Sequence, residues 1–107
     1  MIFKVIQRCK TKGALEVIPS DPADLRLDMV EAVLTNSRFA VVNAKILVVA
    51  SRDDVAETTM YEDGRMLVKT LDPRLAHKSA SRVYEAGTGN IEDAQYEDYV
   101  AAGRVKV

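Results

Sequence analysis

Asp63-Gly64 separates two runs of strand-forming residues, Glu57-Thr58-Thr59-Met60-Tyr61 and Arg65-Met66-Leu67-Val68-Lys69-Thr70. Asp-Gly at such a junction favours a tight hairpin, because both central residues of the turn take positive φ and few residue types tolerate that. This pair commits the middle of the chain to an antiparallel ladder, and the other elements must be arranged around it.

Upstream, Ile2–Arg8 is rich in β-branched and aromatic residues and reads as a strand. The polar stretch Lys10-Thr11-Lys12-Gly13 turns the chain into a second strand, Ala14–Ile18, closed by Pro19. Ser20-Asp21-Pro22 has the composition of a helix start, and Leu27, Val30, Val33 and Leu34 form a stripe along a helix expected over residues 21–36. Phe39–Ala50 is the most hydrophobic stretch and reads as strand, with Asn43 marking either a bulge or a turn that splits it. Asp72-Pro73 opens a second helix. Leu75, Ala76, Ala80, Val83 and Tyr84 make its buried stripe, and Gly87 is placed to end it. Ile91–Ala102 has the composition of a short acidic helix, followed by Arg104–Val107 as a strand or a free tail.

The order β-β-α-β-β-β-α, with a further short helix, predicts an α+β fold. A two-layer sandwich is expected, with a mostly antiparallel or mixed sheet and two main helices on one face. The first helix can carry a crossover that makes one strand pair parallel. The 107 residues, 48% hydrophobic and 29% charged, suit one domain with a real core. That domain is placed at residues 1–87, with 88–107 as an acidic C-terminal extension.

Composition closes several routes to chemistry. One cysteine and one histidine exclude a disulfide framework and an all-Cys/His zinc site, so neither metal nor cofactor is expected. No apolar run approaches the ~20 residues needed to span a bilayer, and no signal peptide opens the chain, so a cytoplasmic protein without membrane contact is expected. Asp53-Asp54 and Glu62-Asp63 lack the alternating oxygen ligands of a calcium loop and read as turns. Gly87-Thr88-Gly89-Asn90 lacks the spacing of a phosphate loop and reads as a linker.

Three candidate sites stand beside plainer readings. Cys9 is flanked by Arg8, Lys10 and Lys12, whose charge would favour a reactive thiolate, with His77 as the available base. The plainer reading makes Cys9 a bystander and His77 a surface or boundary residue. Lys4, Arg8, Lys10 and Lys12 occur with no acid before Glu16, so a basic hairpin could dock an acidic partner, a phosphate or a nucleic acid. A net charge of −1 and few aromatic residues weigh against nucleic acid. Glu85, Glu92, Asp93, Glu97 and Asp98, with Tyr96 and Tyr99, form an acidic aromatic tail suited to docking a protein. The plain alternative for both charge runs is a pair of solvated faces.

Residues 57–87 carry a resemblance. Met60-Tyr61-Glu62-Asp63-Gly64-Arg65-Met66-Leu67-Val68, then Leu71-Asp72-Pro73-Arg74-Leu75-Ala76 and Tyr84, resemble the C-terminal end of the ThiF/MoeB/HesA adenylyltransferases. That family's glycine-rich nucleotide-binding half and Cys-x-x-Cys pair have no counterpart here. The resemblance therefore implies a detached accessory domain that handles a protein partner, without ATP chemistry.

The expected function is accordingly that of a non-catalytic accessory or adaptor protein. It would bind another protein through a sheet face, a sheet edge or its charged ends. A homodimer is a second expectation, because a long valine-rich strand can cover its edge with a copy of itself. The alternatives are a thiol enzyme using Cys9 and a binder of nucleic acid or phospholigands through the basic hairpin.

Overall fold

A computed structural model describes residues 1–10 and 12–107; Thr11, in the expected turn after the first strand, lies outside the described residues. The elements are β1 (Phe3–Arg8), β2 (Leu15–Pro19), α1 (Leu27–Asn36), β3 (Ala40–Asn43), β4 (Leu47–Arg52) and β5 (Val55–Tyr61). They continue with β6 (Met66–Val68), α2 (Pro73–Thr88), α3 (Tyr96–Ala101) and β7 (Val105–Lys106). The strands form one mixed sheet in the order β3-β4-β5-β6-β2-β1-β7, antiparallel throughout except for the β1–β7 pair. The fold is the expected two-layer α+β sandwich.

The valine-rich stretch forms a hairpin and not one strand, which settles the two readings of Asn43. Its side-chain oxygen accepts the Lys45 amide at 2.8 Å, the Ala44 amide reaches the Leu47 carbonyl at 2.9 Å, and Lys45 takes φ +70°. An Asn side chain that mimics a backbone acceptor is what makes such a turn local.

The β5–β6 turn differs from the expected two-residue form. Only Gly64 has positive φ, +87°, while the Gly64 amide donates to the Tyr61 carbonyl and the Tyr61 amide to the Arg65 carbonyl. The loop is therefore the three-residue type, Glu62-Asp63-Gly64, in which an ordinary turn is followed by one left-handed glycine.

Helix α1 starts later than expected, at Leu27 and not near residue 21. The amides of Ala23 and Leu25 donate to the carbonyls of Asp63 and Glu62 at 3.0 and 2.8 Å, so the β5–β6 loop holds this segment extended. Leu27, Val30 and Leu34 are buried, but Val33 lies one residue's turn, ~100°, from Leu34 and faces solvent.

Helix α2 begins as expected, with the Asp72 carboxylate accepting the Arg74 amide and Pro73 in the first turn. It runs through Gly87 and ends at Gly89, whose left-handed φ of +80° makes it the cap. Gly87 is a packing residue: a β-carbon there would stand 3.1 Å from Val30 of α1. His77, expected at the surface or the boundary, is buried on α2, while Leu75 is only half-buried.

The helices bury their apolar sides against the same face of the sheet. Leu27, Val30 and Leu34 of α1, Ala76, Ala80, Val83 and Tyr84 of α2 and Tyr99 of α3 share one cluster with Phe3, Ile6, Leu15, Val17, Met60, Met66 and Val68. The last residues belong to this body: Ala94 and Val105 pack against the core, and the Ile6 amide donates to the Arg104 carbonyl at 2.8 Å.

Candidate functional site

Strand alternation sends every second side chain to the face away from the helices. Register aligns Val42, Val49, Thr59, Leu67, Glu16 and Gln7 in one row across β3, β4, β5, β6, β2 and β1. Leu47 pairs with Tyr61, and Ile18 with Val5, on the same side. None of these residues belongs to the core cluster that the helices cover, although Val5, 7% exposed, is itself buried. Val42 is 65% exposed, while Val49, Thr59 and Leu67 are half-buried by their neighbours in the sheet.

Leu67 forms the ridge between two hollows on this face. One, of about 440 Å³, is lined by Gln7, Arg8, Cys9, Lys10, Glu16, Tyr61, Arg65 and Leu67. The other, of about 220 Å³, is lined by Lys12, Ala14, Glu57, Thr59, Leu67 and Lys69. A third hollow of about 220 Å³ contains Lys4, Ile18, Pro19, Asp63 and Arg65. Lys4, Lys10 and Lys12 thus border hollows of this face, whereas Arg8, at the end of β1, pairs with the core residue Leu15 and alternates away from the row that holds Gln7.

Arg65 and Lys69 join that group from the β6 side. The sequence reading missed them, although outward alternation of Arg65, Leu67 and Lys69 about the hairpin could have signalled it. The Arg65 guanidinium stacks 4.6 Å from the Tyr61 ring centre, its Nη1 approaches Glu16 at 3.4 Å, and its Nε has no hydrogen-bond partner. Glu16 also accepts from Gln7 Nε2 at 2.9 Å.

Cys9 lies at the end of β1, half-buried in the wall of the larger hollow. His77 is on the other side of the sheet, edge-on to the core residue Phe3. A Cys9–His77 pair is therefore not assembled. Among the described residues, no group of three or more His, Cys, Asp or Glu is placed to hold a metal ion, and no helix is long and apolar enough to cross a membrane.

The acidic tail is arranged differently from the exposed docking segment the sequence suggested. Tyr99 is fully buried, because its hydroxyl donates to the Glu92 carboxylate while accepting the Phe3 amide at 3.1 Å. Glu92, whose side chain is 2% exposed, also accepts the amides of Ile2 and Ala94. His77 Nε2 lies 4.0 Å from Glu92 and makes no hydrogen bond; its ring packs 4.8 Å from that of Tyr99. Burial lowers the His77 pKa, against the opposing pull of Glu92 and Glu97. Burial and the neighbouring Glu92 raise that of Tyr99 above the ordinary phenol value. Tyr96 remains half-buried, with the Arg74 guanidinium 4.6 Å over its ring and the same arginine bonded to Glu97 at 2.6 Å.

His77, Glu92 and Tyr99 are residue types of acid–base chemistry, but they are buried, and Glu92 and Tyr99 fasten the C-terminal segment to the start of the chain through the Ile2 and Phe3 amides. The open sheet face has the opposite character: apolar in the middle, cationic around it and accessible. The chain matches no known family model, no curated protein and no solved structure.

Proposed function

We propose that this chain is a non-catalytic accessory protein of the cytoplasm that binds another protein through the uncovered face of its sheet. The reading is carried by the cross-strand row Val42-Val49-Thr59-Leu67, an apolar band on a face left open by all three helices. A face with an apolar centre and a polar rim has the anatomy of a protein interface. The buried His77-Glu92-Tyr99 group argues for binding over catalysis. The likeness of residues 57–87 to the end of the adenylyltransferases points the same way, since what it implies is a domain that handles a protein partner. A single cysteine suits a reducing compartment.

The test compares affinity purification of the tagged wild-type protein from its native cells with that of Leu67→Lys and Thr59→Lys variants. Both variants should unfold near the wild-type temperature, because neither side chain enters the core. A stoichiometric protein partner retained by the wild type and lost by both variants is expected. A partner retained equally by all three, or no partner, overturns the reading.

A further inference from the structure

Resting on that reading, we infer that the partner contributes an acidic, amphipathic segment whose apolar side chains cover Leu67 and whose carboxylates meet the cations beside it. The charge around the two hollows is one-sided. Lys10 and Arg65 border the larger one, and Lys12 and Lys69 the smaller. The carboxylates in those walls are Glu16 and Glu57. Glu16 is already engaged, by Gln7 at 2.9 Å and Arg65 at 3.4 Å.

The whole chain carries −1, so a cationic sheet face obliges the rest of the molecule to hold the excess acid. The molecule is therefore electrically two-sided, and an approaching anionic segment is steered to the face that has the apolar band.

The position of Leu67 narrows the ligand. It is shared by both hollows, so cations flank one apolar ridge on two sides. An extended segment with carboxylates on either side of an apolar side chain matches that layout. Arg65 is poised for such a group, because its stacking on Tyr61 fixes the guanidinium plane while 42% of its side chain stays exposed. A planar guanidinium held in this way recognises carboxylates with directional hydrogen bonds. A nucleic acid is the poorer fit: successive bases need aromatic platforms, and Tyr61, already covered by Arg65, is the aromatic residue lining these hollows.

Fluorescence anisotropy with three labelled probes tests the assignment: a peptide of alternating aspartate and leucine, one of alternating lysine and leucine, and a single-stranded oligothymidylate. The acidic peptide is expected to bind at least about tenfold more tightly than the basic one and to weaken as salt rises from about 50 to about 500 mM. A triple Lys10→Glu, Lys12→Glu, Lys69→Glu variant should lose about tenfold or more, with its thermal unfolding unchanged. So should Leu67→Ala, which retains every charge.

Equal or tighter binding of the basic peptide overturns the inference, as does the absence of acidic-peptide binding. Oligothymidylate binding that is sensitive to the triple variant, without peptide binding, assigns the face to nucleic acid instead. The cellular purification separates the two levels of the argument. If Leu67→Lys loses its protein partner there while the acidic peptide fails here, docking at the face stands and its acidic ligand does not.

Discussion

The Tyr99 hydroxyl donates to the Glu92 carboxylate, and this one contact joins α3 to the loop that leaves α2. The same hydroxyl accepts the Phe3 amide, so removing a single oxygen affects three segments. Tyr99→Phe keeps the ring in the core but leaves a buried amide without its acceptor and weakens the set of donors around a buried carboxylate. It should destabilise the fold by about 2–3 kcal/mol in urea titrations. A loss below half a kilocalorie would mean that another group takes over those bonds.

Stability should fall on the acid side of neutrality because of His77. Burial holds its folded pKa below the unfolded value of 6.5, against the pull of Glu92 and Glu97; its ring neighbours are Phe3, Tyr96 and Tyr99. The unfolded chain then takes up a proton first, so stability from this group is full above 6.5 and declines as pH falls through 6.5 toward the lowered folded value. His77→Leu should remove that slope between about pH 7.5 and about pH 5.5. An identical slope in the variant would contradict the assignment.

Tyr99 sets a limit on the alkaline side. Its raised folded pKa means that the native state keeps a proton which the unfolded state releases, so stability declines as pH rises past about 10. Absorbance titration should show this tyrosine ionising together with unfolding. Tyr99→Phe, scanned in the same way, should lose that coupling.

Gly64 and Gly89 offer a controlled comparison of backbone and crowding costs. Both have left-handed φ, +87° and +80°, but a β-carbon at Gly64 would stand 3.2 Å from Ala23 and 3.3 Å from Pro19, whereas at Gly89 it meets nothing within 4 Å. Gly89→Ala should cost about 1 kcal/mol from conformation alone. Gly64→Ala should cost about 2–3 kcal/mol, the difference arising from the displaced extended segment. Equal losses would show that the segment yields freely.

Arg52 ties the end of β4 to the turn after it. Its guanidinium holds Asp54 through Nε and Nη2 at 2.5 and 2.8 Å, reaches the Ser37 carbonyl at 2.9 Å and lies 4.1 Å over Phe39. Hydrogen bonding from Arg52 lowers the Asp54 pKa to about 2. Arg52→Lys retains the charge but loses the fork and the stacking, and should lower the midpoint of urea unfolding. No measurable change would mean that charge alone serves this corner.

What could be read from the chain follows how local each cause is. Asp63-Gly64, Asp72-Pro73 and the alternation in β1, β2, β5 and β6 act over a few residues, and those elements are where the sequence places them. The start of α1 was not legible, because the Ala23 and Leu25 amides are captured by a loop about forty residues further on. His77 looked like a boundary residue because its covering groups, Phe3, Glu92 and Tyr99, come from both ends of the chain. The basic hairpin was visible as charge, and alternation put Arg65 and Lys69 on one face of their own strand, but the union of the two groups depends on β2 pairing with β6, a long-range register.

The parallel pairing of β7 with β1 also bears on how the protein is made. β1 can meet β2 soon after both leave the ribosome, but its other edge must wait until Val105 and Lys106 have been synthesised. Until then the amides of Ile2 and Phe3 lack Glu92 and Tyr99, and a nascent sheet presents an open edge to its surroundings. A chain stalled before residue 92 would therefore carry an exposed, pairing-competent strand.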